Sequence, residues 1–540
     1  MVGIDSFRDS SVSSAYVSPS SNHYHVIIGG SGPSGLAAAR EIKRVLPNAR
    51  VAVVDKERYC SGGLMNDCKL NLTPKIGMEP EFLGITEEEA WPIIMDMDAW
   101  FVKHGADPKL HGTDNEKLRK LEEKVRAQDA TLVSCQQRHV GTDRAKALIR
   151  SMRRELEAQG VEFLLGTEIK NVEVNGVQTV HTSKGSYTCN NLVLAFGRGG
   201  SQWLRKLADK IGIQHQFGPI DIGFRIELPF RTLEETTNAM YDPKIRTYGS
   251  EDPWDYTKTF CTNPGGRIRL EAETDSIAFE GEKLQLINGD AKSEDKTSNT
   301  NFAFLQKIRL TRPLSDTKMY AEQIVIQAYL LGGMKPLIQR MGDFMRGVRS
   351  KHETFFSREL GYDVVRPSLQ IGKKEGGGVI TPGDIRLALP GRIVSGLERG
   401  LQVLNRIVGV RVAEVPIVGP DGEYIVVGED ADGKEIYKTR EERLSVLHPS
   451  TLICAPEVKF GDSVYVNKGH LESTVPGIYV VGNANNTSGI VAAWVSGVVA
   501  AQGILAKRGA LNEPIVVSAR AEDVQPEAQV VVPKEEHKAA

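Results

Sequence analysis

The spacing of hydrophobic residues marks out the elements of this chain. Val26, Ile27 and Ile28 form a short unbroken apolar run, the pattern of a strand buried on both faces. Gly30-Ser31-Gly32-Pro33-Ser34-Gly35 follows, and then the helix-favouring Leu36-Ala37-Ala38-Ala39-Arg40-Glu41. A second apolar run, Val51 to Val54, leads into Asp55, about 20 residues past the last glycine. Strand, glycine turn, helix and strand predict a βαβ unit in a parallel sheet.

Further along, an amphipathic helix from Asp143 is stopped at Gly160 and gives way to a strand reaching Ile169. Another strand, from Gly185, runs into the glycine cluster that begins at Gly197. Near the end come a Pro476-Gly477 turn, a buried strand over 478–481, Gly482-Asn483, a polar loop, and a small-residue helix opening at Gly489 and Ile490. Between these segments the pattern predicts a helical excursion over 87–125, helical patches over 320–348 and 384–407, and a polar insertion over 288–300. Residues 372–384, rich in glycine, read as a mobile loop that could gate a site.

Each glycine of the opening turn has a mechanical reason. Gly30 allows the tight turn, Gly32 lets the backbone approach a pyrophosphate, and Gly35 lets helix pack on strand. With Ser31, Pro33 and Ser34 they open a helix whose free N–H groups suit an anion. Asp55 suits a ribose diol and repels a 2′-phosphate, with Lys56 beside it; the ligand is a dinucleotide, and FAD and NAD are equally consistent with this turn alone. The late segment breaks the tie. In flavoproteins of the glutathione-reductase superfamily a strand, a glycine followed by a polar residue, a loop and a helix stand near the C-terminus. Gly482, Asn483, Gly489 and Ile490 match that arrangement, with Asn483 replacing the usual aspartate. Ile169 and Gly197 fall where that superfamily contacts its cofactor, and Ser61-Gly62-Gly63 follows the second strand closely enough to cover it. The predicted cofactor is FAD.

Composition narrows the classes further. Of 540 residues, Lys plus Arg number 67 and Asp plus Glu 69, a net charge of −2, which removes the basic excess that nucleic-acid binding needs. The apolar stretch from Ile490 carries Ser496 and Gln502 and reads as a buried helix rather than a membrane span. Six scattered cysteines without C-x-x-C or zinc-type spacing fit a reducing, cytoplasmic setting and predict no metal site. The serine-rich N-terminus has no apolar h-region and is not expected to be a signal peptide.

The chain also resembles a known group, the FAD-dependent proteins called NAD(FAD)-utilising dehydrogenases. "CSGGLMNDCKLNL", "RHVGTD", "IDIGFRIELP", "TFCTNPGG" and "SNTNFAF" are similar to that family's segments, in order. Departures fall at Cys68, Leu228, Asn263 and Asn483, so the resemblance implies the fold more firmly than any substrate. The implied architecture is α/β: a Rossmann-like FAD/NAD(P)-binding domain of glutathione-reductase type with an inserted mixed α+β second domain. The expected division is a disordered segment over 1–23, a discontinuous FAD domain over 24–220 plus 470–508, a substrate or cap domain over 221–469, and a disordered tail over 509–540.

Chemistry is assigned to three residues. Lys69 could stabilise a reduced, anionic flavin, His139 could exchange protons near neutral pH, and Cys261 sits before an Asn-Pro-Gly-Gly turn that would expose it. Arg225 and Glu227 share one strand face and are expected to pair with each other, with Arg225 as an alternative substrate anchor. Gly141-Thr142-Asp143 is expected to cap the following helix. The expected activity is hydride transfer between flavin N5 and a small organic substrate, with NAD(P)H as a candidate transient partner, since no second dinucleotide turn follows. An oxygen-using monooxygenase or oxidase, and a non-catalytic FAD-binding protein, are the alternatives. Oligomeric state is not legible.

Overall fold

The structure is a computed structural model that describes residues 22–60, 62–65, 68–248, 255–271, 277–308, 310, 316–372, 377–464, 470–485 and 487–509. The expectations for residues 1–21, Ser61, the stretch 373–376 and the tail from 510 fall outside the described residues.

The apolar runs read from the sequence form the centre of a parallel sheet. His23–Gly29 lies between Val51–Asp55 and Gly185–Leu194, both parallel to it. Val161–Leu165 extends one side beyond Val51–Asp55, and Ile478–Val480, more than 280 residues downstream of its partner, pairs parallel with Gly185–Leu194 on the other. The ladder Ile169–Asn175, Val177–Thr182 and Gly185–Leu194 is antiparallel and branches from that same strand. Strands buried on both faces need cover on both. One face packs against the helices Pro33–Val45, Glu87–Lys103 and Ile490–Lys507, and the other against Ser201–Ile211.

The late helix belongs to the core. Ile490–Lys507 is long and apolar enough to cross a membrane, yet every residue from Ile490 to Leu505 is buried in protein. Gly497 permits this, since a Cβ there would collide with the Ser34 carbonyl of the first helix. Trp494 is wholly buried, with Trp100 and Phe101 of the excursion helix at 5.2 and 5.6 Å between ring centroids.

A second, eight-stranded sheet is built on two long antiparallel strands, His215–Pro229 and Leu452–Val464. Its order is Thr381–Pro382, Leu337–Arg340, Leu452–Val464, His215–Pro229, Asn299–Ile308, Tyr256–Pro264, Ile245–Tyr248 and Ala130–Leu132. Three expectations change here. The sheet begins at His215 and takes an edge strand from Ala130–Leu132, so neither boundary at 220 nor the continuity of 24–220 is kept. The supposed polar insertion over 288–300 takes in the end of the strand Leu286–Asp290 and the start of the central strand Asn299–Ile308, where Asn299, Thr300 and Asn301 are buried. Polar composition misleads there because the two asparagines find partners inside the protein: Asn299 donates to Glu227 and the Arg366 carbonyl, and Asn301 Oδ1 accepts from Arg225 and Asn263. The patch over 320–348 is helical only through Thr317–Leu331 and again at Met341–Met345, with the strand Leu337–Arg340 between them. The second patch, 384–407, holds the short turn Ile385–Leu387 and then the helix Gly391–Val408, packed on the second sheet.

A short antiparallel pair, Lys69–Leu72 with Gln136–His139, links the two halves. It follows the single turn Gly62–Met65, which lies against the first helix: a Cβ on Gly62 would sit 3.1 Å from the Gly32 Cα.

Candidate functional site

The opening turn and the late loop meet. Gly30 has φ +110°, and a Cβ there would collide with the Ala195 carbonyl at the end of the neighbouring strand. Gly35 has no room for a side chain either, because the Gly30 carbonyl fills it. Gly482, with φ +75°, lies so close that a Cβ would come 2.8 Å from Ser34 Oγ. The Gly482 N–H donates to Ser496 Oγ at 2.9 Å, which ties the late loop to its own helix. Two helices therefore begin beside each other. The first is Pro33–Val45, with Gly32 before it and Pro33 in its first turn, and the second is Ile490–Lys507, with Gly489 before it. Neither has a side-chain cap or an acid in its first turn, so their first N–H groups and positive dipole ends are left for an anion.

The other residues assigned to a cofactor surround this point. Asp55 ends the second strand and accepts from Ser31 N at 2.8 Å, Ser31 Oγ at 2.5 Å and Glu57 N at 3.0 Å. Lys56 beside it is exposed. Thr167 N donates to the Asp55 carbonyl, bringing Ile169 to the same strand end, with its side chain against Gly29. Gly197 precedes the turn Arg198–Gly200, whose neighbour Phe196 also packs on Gly29. Gly62 and Gly63 lie in the turn across the first helix N-terminus, and Asn483 is half-buried in the turn Gly482–Asn485. The sequence gives no role to Asn485 and Thr487, yet Asn485 Oδ1 and Thr487 Oγ1 are buried atoms with no hydrogen-bond partner among the described residues. Orphaned polar atoms, two open helix ends and a Cβ-free cradle are what a phosphate-bearing dinucleotide fits. The residues present thus suit FAD.

The three residues assigned to chemistry also converge. Lys69 stands opposite His139 in the linking ladder. The Lys69 ammonium donates to Thr262 O at 2.6 Å and Asn263 Oδ1 at 2.9 Å, and lies 3.5 Å from both Cys261 Sγ and Asp242 Oδ2. Its side chain is 7% exposed, so it fastens the Cys261 turn rather than reaching outward. Cys261 has φ +51° in a bulge, where the strand gains one residue between Phe260 and Asn263, and the bulge turns its sulfur toward Lys69. His139 stacks on Tyr241 at 4.7 Å between ring centroids, and His111 covers the ring at the same separation.

Burial decides the chemistry of the remaining thiols. It pushes Cys60 up to about 11 and Cys135 and Cys189 up to about 12, and it raises Cys454 as well. Burial alone would raise the Asp242 carboxyl, but Lys244 and Lys69 bring it down to about 2.

Arg225 and Glu227 do not pair. Arg225 is fully buried and bonds Glu457 through two nitrogens at 3.0 and 3.2 Å, and Asn301 Oδ1 at 2.8 Å. Glu227 accepts from Asn299 and Ser368, and burial raises its carboxyl. Glu457 sits on one flanking strand and Asn299 and Asn301 on the other, where register rather than sequence spacing sets the neighbour, and Ser368 comes from a loop. Arg225 is thereby a core residue and not a substrate anchor. The helix Thr142–Ala158 is not capped by a side chain: Gly141 precedes it, and Asp143 turns to Ser293 N and Oγ.

No protein-family model matches the chain. An uncharacterized protein of Clostridium beijerinckii is 25% identical over 226 residues, 38% of this chain and 40% of that protein, so the match spans less than half of the relative. Among solved structures, the open conformation of a flavocytochrome c3 fumarate reductase is 11% identical over 91% of this chain and 79% of that one, with a TM-score of 0.37. A flavoprotein/dehydrogenase from Cytophaga hutchinsonii is 11% identical over 90% and 79%, at 0.32. L-proline dehydrogenase from P. horikoshii is 15% identical over 42% and 67%, at 0.28. At scores of this size the functional reading rests on the residues themselves.

Proposed function

We propose that this protein is an FAD-dependent oxidoreductase of the dehydrogenase or reductase type, acting on a small organic substrate. The observation that carries the reading is the meeting of Ser34 and Gly482, which sets two uncapped helix N-termini around one Cβ-free turn. FAD, when bound, supplies the reversible two-electron acceptor that no side chain provides. The chain's own residues hold and orient. Gly30 and Gly35 keep side chains out of the turn, the helix ends at Pro33 and Ile490 would hold the pyrophosphate, and Asp55 would take ribose hydroxyls. Asn485 and Thr487 gain the partners they lack. Proton handling falls to the cluster of His139 and Cys261, which Lys69 and Asp242 fix in place.

With one dinucleotide turn in the sequence, NAD(P)H would serve as a visiting electron partner rather than a resident. The near-balanced charge supports a small-molecule rather than a polyanion partner, and the free cysteines support a reducing, cytoplasmic compartment. Rapid mixing of the purified protein with NADH and NADPH, first without oxygen and then with it, tests the reading. Bleaching of flavin absorbance by a nicotinamide, with slow return in air, is expected. Fast return in air would favour an oxidase. A bound flavin that no donor reduces would overturn the enzyme assignment.

A further inference from the structure

The loop after Ala291 brings a cation to the rim of the polar cluster. Lys296 as a residue is exposed, while its ammonium end lies 3.3 Å from the Oη of buried Tyr241 and 3.4 Å from the Pro264 carbonyl. Both partners are neutral oxygens, and no carboxylate among the described residues lies within ion-pair distance of it. The neighbouring lysines differ: Lys69 and Lys244 share Asp242, and Lys258 pairs with Asp221. Burial of the ammonium end lowers Lys296, Lys69 adds to the shift and Asp143 opposes it. A cation that meets only neutral oxygens beside a phenol has an opening for an anion.

The surroundings select the kind of anion. The Tyr241 ring packs against His139, stacked at 26°, and His111, tilted at 43°, so the phenol and the ammonium stand beside two imidazoles. Two donors 3.3 Å apart match the two oxygens of a carboxylate. A phosphate is disfavoured, since Thr142 N, which opens the helix packed on this loop, already bonds the Ala291 carbonyl and adds no third donor. We propose that Lys296 and Tyr241 form the carboxylate-binding subsite of an organic-acid substrate. This deepens the reading above and rests on it for the premise that the bound acid is what the enzyme transforms.

Isothermal titration of the purified full-length protein with acetate, benzoate, succinate and inorganic phosphate tests the subsite without any turnover. The parent is expected to bind at least one of the carboxylates more tightly than phosphate. Lys296→Met should weaken that binding by about tenfold or more, the scale of a lost charged hydrogen bond. Tyr241→Phe, which keeps the ring stack, should weaken it by roughly three- to tenfold. Lys75→Met, changing an exposed lysine on another loop, should leave it unaltered. As a second readout, benzoate should protect Lys296 from acetylation by acetic anhydride, followed by peptide mass spectrometry, and should not protect Lys75. Binding of no carboxylate, a preference for phosphate, or unchanged affinity in Lys296→Met would each overturn the proposal. Carboxylate binding by protein that takes up no FAD would uphold the subsite and sink the oxidoreductase reading instead.

Discussion

The two halves of the site are held by different physics. The cradle at Gly30, Gly35 and Gly482 depends on absence: there is no Cβ at the contacts, no cap on the helices and no acid in their first turns. The cluster around Asp242 and Arg225 depends on presence, because each buried charge has a fixed partner. A cradle made by steric omission fails when an atom is added. A charge network fails when one is taken away, and it fails as a unit. The first kind of site suits a large constant ligand. The second suits proton transfer and substrate discrimination.

Substitutions can press each half of that contrast. The largest effect is expected from Gly32→Val, which puts a branched side chain into the turn at a residue of ordinary φ. Flavin retention should be lost while far-ultraviolet circular dichroism stays native, since the rest of the sheet is untouched. Next comes Arg225→Met, which leaves Glu457 buried with only Lys459, 3.3 Å away, for a cation. Breaking a buried pair in this way costs about 3–5 kcal/mol, readable by urea denaturation. Gly289→Ala should cost about 1–3 kcal/mol by overpacking, because a Cβ there meets Asn263, Arg225 and Asn301 together. Ser496→Ala removes the acceptor of the Gly482 N–H and should cost about 1 kcal/mol, with weaker FAD affinity rather than its loss.

A further effect is one of pH. The Asp242 carboxyl falls from 3.8 to about 2 on folding. Its contribution to stability is therefore present in full above 3.8 and is lost as pH falls through about 2. Asp242→Asn should lower stability at neutral pH and flatten the acid limb of the denaturation profile over that window.

The cradle was legible because its grammar is local. A strand, a glycine turn and a helix within some dozen residues have one sensible geometry, and the late strand and helix repeat that logic. The cluster was only partly legible. Lys69, His139 and Cys261 could be named by residue type, but the partners that define them are set by strand register across long separations. Lys69 finds Asn263 194 residues away, and Arg225 finds Glu457 232 residues away. Tyr241 carries no sequence signal at all, since its meaning comes from two histidines packed against it from other segments. Asn299 to Asn301 misled in the opposite direction, because buried asparagines in a central strand look in sequence like a surface loop. Alternation of Arg225 and Glu227 correctly placed both on one face, but it could not say that Arg225 bonds Glu457 and Asn301 on its two neighbouring strands while Glu227 bonds Asn299 and Ser368.

The account as a whole depends on the early turn and the late loop forming one flavin site. Saturating the purified protein with FAD, removing the excess by gel filtration and counting flavin per chain tests this most directly. One FAD per chain is expected, and the count should fall to near zero in Gly32→Val. Folded parent protein that emerges colourless from excess FAD would contradict it.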